Sequence, residues 1–401
     1  MPKKILLSVL FTYLSFTYCI AQQQPLNWVD AHAVSIDSNK NYLPNLAAGL
    51  KDNSILGLGE ASHGTHEFSV EKNRIIQYLI THKNYKAVGF ESAYAVMDRI
   101  NTYVLTGKGD LKKLMQPLRL FSTKEIYDLF REIKLYNDSQ PLKNKVSIFG
   151  FDIDYTKADV DSSARYSLNY LGKHPDMYAH GKAAIPVLKR ITATDFGNLY
   201  EMADDEKAII SDLNNEVKTK GQSTEGYGKF KKYLSLLYQG TLVTNPLARD
   251  EFMADNIANT QQESKAKTII WSHNVHVAKD TTMAMCKGMG YYVRQKYQTQ
   301  YYTIGLDTYK GATNSIVDDN FQANNFEMQP SSLSALFAKA KFTKFFINVD
   351  NAQGNPIYNV SGNITNIFSN WGRMRTLQIR PGIDFDALLF IRETTASTEL
   401  K

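Results

Sequence analysis

The sequence predicts an α/β protein: a mainly parallel sheet flanked by helices, with a large all-helical insertion. Three observations lead there. Short apolar runs alternate with helical patterns, as expected of a sheet wound with crossover helices. Several of these runs end in an acid or a histidine, at Glu60, Glu91, Asp152 and His273. Between 156 and 264 the strand signal fades and helical patterns dominate. The expected division is a leader over 1–21, a first part of the α/β core over 22–155, the helical insertion over 156–264, and a second part of the core over 265–401.

The chain begins Met1-Pro2-Lys3-Lys4, runs apolar from Ile5 to about Ile20, and reaches Ala21 before a polar turn. A basic start, a short apolar core and a small residue read as a secretory signal peptide cleaved near Ala21. The apolar run is too short for a membrane span. Cys19 raises a lipoprotein alternative, against which bulky Tyr18 stands. Export to a periplasm or beyond is the expectation, with no stable membrane insertion after cleavage.

An entry helix is expected within 22–50, around Trp28. Ser54 to Leu58 reads as a buried strand, and Gly59-Glu60-Ala61-Ser62-His63-Gly64 as the turn after it. Phe68, Ile75, Ile76, Leu79 and Ile80 then fall on one face of a helix reaching about His82. Lys86 to Glu91 is a second strand, 93–106 a helix stopped at Gly107, and Thr123 to Tyr136 a helix capped by Thr123. Lys145 to Asp152 is a third strand. Helices are expected over 157–171, 183–192, 198–219, 227–239 and 246–263. Lys267 to His273 is a fourth strand, followed by a helix to Tyr297 and a strand Tyr301 to Leu306. Residues 307–328 read as a loop or hairpin near a site entrance; a helix over 331–341 and strands Lys344 to Val349 and Ala387 to Arg392 complete the chain.

Bulk composition narrows the function classes. The 401 residues carry a formal net charge of +6, which falls to +4 once Lys3 and Lys4 leave with the leader. No dense Lys/Arg block with interleaved aromatics appears, so nucleic acid is not an expected partner. Of the two cysteines, Cys19 leaves with the leader, so Cys286 has no internal disulfide partner and reads as a core residue in a helical stretch.

In a parallel sheet the carboxyl ends of the strands lie together, and ligands bind there. Glu60, His63, Glu91 and His273 are therefore the candidate catalytic residues. His63 lies just before a helix N-terminus, where the dipole favours neutral imidazole. A neutral imidazole can take a proton from water. Glu60 or Glu91 could fix its tautomer, and His273 could polarise a carbonyl or protonate a leaving alcohol. His66, Arg99, Arg119, Asp152 and His276 are candidate substrate-binding residues, the arginines as oxyanion partners. No Gly-x-Ser-x-Gly elbow, P-loop or Gly-x-Gly-x-x-Gly turn is present. The pairs His63/His66 and His273/His276 leave a metal-dependent hydrolase or peptidase as an alternative, although no His-Glu-x-x-His helix occurs. The primary expectation involves neither metal nor cofactor.

Four segments carry a family resemblance. Gly59-Glu60-Ala61-Ser62-His63-Gly64-Thr65-His66-Glu67-Phe68 resembles the signature of the erythromycin esterase family, and Gly89-Phe90-Glu91 its second motif. Arg249-Asp250-Glu251-Phe252-Met253-Ala254-Asp255-Asn256 resembles its Arg-Asp-x-x-Met-Ala-x-Asn helix. Trp271-Ser272-His273-Asn274-Val275-His276 resembles its Trp-Ala-His-Asn-x-His segment. The resemblance runs from about 50 to 395. It implies a parallel α/β core with a helical insertion, and a metal-independent opening of carboxylic esters or macrolide-type lactones by water. His63 would be the base, with Glu60, Glu91 and His273 lining the site, and antibiotic resistance would be the associated role. Ser62 stands where Thr is more usual, and His66 where Arg is frequent. Similar folds that bind haem imply a third reading, a periplasmic protein holding such a ligand without catalysis.

Overall fold

The computed structural model describes residues 24–37, 42–51, 53–153, 157–221, 224–243, 248–282, 285–318, 320–350, 354–372 and 375–401. The leader 1–21, its cleavage site and Cys19 lie outside the described residues. The strands in chain order are β1 (Val34–Ser35), β2 (Ile55–Leu58), β3 (Tyr85–Ala93), β4 (Ser147–Asp152), β5 (Lys267–Trp271) and β6 (Tyr301–Val317). They continue with β7 (Asn320–Glu327), β8 (Lys344–Asn348), β9 (Gly362–Thr365), β10 (Thr376–Ile379) and β11 (Ala387–Thr394). The fold is α/β, mostly parallel, with helices flanking the sheet.

Two compact units are built from interleaved segments. Among the described residues, the first comprises those up to Tyr85, Arg119–Glu132 and those from Lys267 on, the second those within Lys86–Leu118 and Ile133–Ala266.

In the first unit the strand order is β1-β8-β11-β6-β2-β5. Strand β2 lies parallel to both β5 and β6, with Leu58 opposite Trp271 and Ile304. All four residues of β2 are buried, which suits a central strand covered on both faces. Strand β11 runs parallel to β6, while β8 and β1 close that edge antiparallel. The helix His66–Lys83 follows β2 and buries Phe68, Ile75, Ile76, Leu79 and Ile80 as its apolar spacing requires. It ends where Asn84 takes a left-handed conformation (φ 57°) and returns its N–H to the Leu79 carbonyl.

The stretch after Leu306 is a long hairpin: β6 continues to Val317 and pairs antiparallel with β7. Between 349 and 386 the structure adds the β9–β10 ladder and a turn of helix at Pro381–Asp384, neither signalled by apolar periodicity. Cys286 is half-buried, and the helix there starts only at Met289, so it is not a core cysteine within a helix.

In the second unit β3 and β4 are parallel, with Val88 opposite Ile148 and Phe90 opposite Gly150. The register then shifts before Ala93 meets Asp152. Helices Lys157–Lys173, Gly181–Ile191, Asp204–Lys220, Tyr227–Leu242 and Arg249–Ser264 follow. The first four share a core that includes Ala164, Leu188, Leu213, Phe230, Leu234 and Leu237. Phe230 stacks on Tyr170 with centroids 4.2 Å apart, a contact worth about 0.5 to 1.5 kcal/mol beyond the burial itself.

Candidate active site

The turn after β2 is shaped by close backbone approaches. Gly59 donates its N–H to the Ile304 carbonyl (2.8 Å), and Gly64 accepts the N–H of Asn314 (3.0 Å) and of Ser397 (2.9 Å). A Cβ on Gly64 would fall 2.0 Å from the Asn314 oxygen, so glycine is required there. Ser62 bonds through its hydroxyl to Thr313, and this occupies it away from any histidine. The tail reinforces the turn: Thr395 accepts the His66 N–H, and Glu67 accepts the N–H and hydroxyl of Thr395. Glu67 is thus tied to the tail.

Held this way, His63 turns Nδ1 toward Oε1 of Glu60, 2.7 Å away. Glu60 is fully buried, and the His63 side chain is 9 % exposed. The other Glu60 oxygen, Oε2, accepts a hydrogen bond from Nζ of Lys72 at 2.8 Å. Nζ also lies 3.4 Å from the Ser272 carbonyl oxygen and 4.4 Å from the centre of the Trp271 ring. Lys72 is itself fully buried.

His273 follows β5 and is buried. Its ring meets the His63 ring edge-on at 5.2 Å and stacks on Phe368 at 5.3 Å. Phe121 covers another side of His63, 5.0 Å between centroids. The Val275 N–H donates a long hydrogen bond, 3.4 Å, to Nδ1 of His273. Asn274 pins this segment to β6: its amide donates to the Leu306 carbonyl and accepts the Leu306 N–H.

These partners bear on which ring nitrogen of each imidazole carries the proton. An ionised carboxylate only accepts hydrogen bonds, so Nδ1 of His63 carries the proton and Nε2 is a base. A backbone N–H only donates, so the Val275 contact, 3.4 Å long, favours an unprotonated Nδ1 on His273, whose Nε2 is buried. The first unit therefore holds a histidine whose Nε2 is suited to take a proton, beside a second, buried histidine.

In the second unit Glu91 sits where the register of β3 shifts, an irregularity that re-aims side chains. It is 3.2 Å from a guanidinium nitrogen of Arg249, and the other arm of that guanidinium bonds Asp152. Burial disfavours the Arg249 charge, but the carboxylates of Asp152 and Glu91 outweigh it and lift its pKa above the usual value. Asp152 also accepts the Ile153 N–H. Asn256, two turns along the Arg249 helix, fastens that helix to β4 through the Phe151 carbonyl (3.1 Å) and to Gln239.

Of the candidates read from sequence, the first unit gathers Glu60, His63 and His273, and the second gathers Glu91 and Asp152 on Arg249. His66 directs Nδ1 to Glu125 (2.6 Å), a pair on the outer side of the helix start that lines a polar groove with Asn73 and Gln77. His276 is buried in the short helix Asn274–Val277. Arg99 and Arg119 both face solvent, Arg119 with a left-handed backbone (φ 53°). Sequence reasoning missed Lys72 and gave Arg249 no role. Lys72 falls in the series 68, 72, 75, 76, 79, where the helical period calls for an apolar residue; a lysine there was the available signal. Among the described residues, no three His, Cys, Asp or Glu side chains are grouped to hold a metal ion.

Comparison with known proteins adds an independent line. The erythromycin esterase family model matches residues 80–394, a span that starts beyond the Glu60–His63 turn. YbfO of Bacillus subtilis (strain 168), which carries a hydrolase name, is 25% identical over 363 residues, covering 80% of this chain and 80% of that protein. Erythromycin esterase type II of Escherichia coli is 23% identical over 341 residues, covering 73% and 79%. A crystal structure of a Bacillus cereus protein superposes with a TM-score of 0.80 at 26% identity, covering 95% of this chain and 99% of that one.

Proposed function

This chain belongs to the erythromycin esterase family, a family of hydrolases, and from that premise we propose that it hydrolyses a carboxylic ester or a macrolide-type lactone with water activated by His63. The observation that carries the reading is His63, bonded through Nδ1 to the buried Glu60 carboxylate with the His273 ring edge-on 5.2 Å away. In the proposed reaction Nε2 of His63 removes a proton from water. The water oxygen attacks the carbonyl carbon, and the carbonyl oxygen takes up the negative charge. Nε2–H of His273 donates a hydrogen bond to that oxyanion. Collapse expels the alkoxide, which receives the proton from His63, leaving an acid and an alcohol. Glu60 holds the imidazolium that forms in between, as a buried carboxylate does in other histidine-based hydrolases.

Glu91 and Asp152, anchored on Arg249, are given no proton-transfer step in this proposal. A small-molecule substrate is supported by the family. A macrolide is supported by the name of the E. coli relative. Export is part of the proposal, supported by the leader-like start of the sequence.

The test is a hydrolysis screen of the purified chain, lacking 1–21, against simple esters, lactones and macrolides, each with and without exhaustive chelation. The expected result is turnover of at least one ester or lactone, unchanged by the chelator. Activity abolished by chelation and restored by a divalent cation would replace this reading with a metal-dependent one.

A further inference from the structure

We infer that Lys72 is a positioning residue that sets the charge and orientation of Glu60 and, through it, the tautomer of His63. The inference rests on the reading of His63 as base and adds to it the element that fixes its tautomer. Glu60 has no access to solvent, and a carboxylate there requires a counter-charge. Lys72 is that counter-charge, on Oε2 at 2.8 Å, which leaves Oε1 for His63 at 2.7 Å. The division of the two oxygens matters. If Glu60 were protonated, it could donate to Nδ1, the imidazole proton would move to Nε2, and His63 would cease to be a base toward water. Lys72 keeps the carboxyl acceptor-only and thereby keeps the lone pair on Nε2.

The same ammonium reaches the second histidine's segment. It lies 3.4 Å from the carbonyl oxygen of Ser272, the residue before His273, and 4.4 Å over the ring of Trp271, the last residue of β5. One side chain thus contacts both the turn after β2 and the turn after β5. Trp271 adds a cation–π contact that holds the stem of the lysine in one rotamer.

The test is a double-mutant cycle on kcat with Lys72→Met and Glu60→Gln, measured on whichever ester the screen returns. Lys72→Met alone is expected to lower kcat about 10- to 100-fold, as loss of a supporting partner behind a functional histidine does, with KM little changed. On the Glu60→Gln background, where no carboxylate remains to hold, Lys72→Met is expected to change kcat by less than about 3-fold, because the two residues act as a unit. A further loss on that background as large as in the wild type would overturn the inference. If Lys72→Met alone does not fold, the comparison of Glu60→Gln with the neutral double variant carries the test, since both lack the stranded carboxylate. A second readout is the ¹⁵N spectrum of neutral His63. The Nδ1–H tautomer is expected in the wild type and a mixture in Lys72→Met; an unchanged tautomer would overturn the inference. Full activity of His63→Ala would instead defeat the underlying reading, and so the two failures are distinguishable.

Discussion

Replacing His63 by alanine is expected to lower kcat for ester hydrolysis by about 100- to 10,000-fold, the contribution of a positioned general base. KM should change little, because His63 acts on water rather than holding the ester in this account. The fold should survive. The His63 side chain is not part of the apolar core; it packs edge-on against Phe121 and His273 at the site. Its loss leaves the Lys72–Glu60 pair intact. A thermal melt and far-UV circular dichroism check folding, and steady-state kinetics check the rate. A folded variant that turns over at near wild-type rate would remove His63 from the mechanism and leave His273 as the alternative base.

Arg249→Met is expected to destabilise the chain by about 3 to 5 kcal/mol, the usual cost of breaking a buried ion pair from one side. Arg249 bridges Glu91 and Asp152, whose side chains are 8% and 11% exposed. Methionine would replace the stem of the arginine but take its counter-charge from both carboxylates. The triple variant Arg249→Met/Glu91→Gln/Asp152→Asn removes those charges as well, and should recover most of the lost stability. Urea unfolding of the three proteins checks this. Equal midpoints for the wild type and Arg249→Met would show that the guanidinium contributes nothing net, and the anchoring role given to it would fall.

The sequence was most legible where one physical rule dominated. Buried parallel strands read as short apolar runs, which is why β2, β4 and β5 were found near their observed limits. The helix His66–Lys83 announced itself by period and stopped at Asn84 for a backbone reason. The β9–β10 ladder was invisible, because Gly362–Thr365 and Thr376–Ile379 are short, with no apolar run of their own. The continuation of β6 past Leu306 was hidden by polar residues that pair with β7 instead of entering the core.

The site was legible in its residue types and less so in its wiring. Glu60, His63 and His273 stand out because acids and histidines at strand ends are chemically expensive to bury without a use. What the sequence does not state is which partner each one takes. His66 resembles His63 in spacing and type, yet its Nδ1 goes to Glu125. Glu91 read as a possible partner of His63 and Asp152 as a substrate-binding residue, yet both meet Arg249, 97 residues beyond Asp152. Lys72 was masked by its own charge: long cationic side chains are assigned to solvent by default, and this one is fully buried.

The central claim is that water held by His63, and not the Glu60 carboxylate, attacks the ester. A single turnover in H₂¹⁸O with enzyme in excess tests it most directly, followed by mass analysis of the product acid and of the peptide containing Glu60. One ¹⁸O is expected in the product acid of that first turnover and none in Glu60. An unlabelled product acid, with ¹⁸O appearing in the Glu60 carboxyl, would contradict it and make Glu60 a nucleophile.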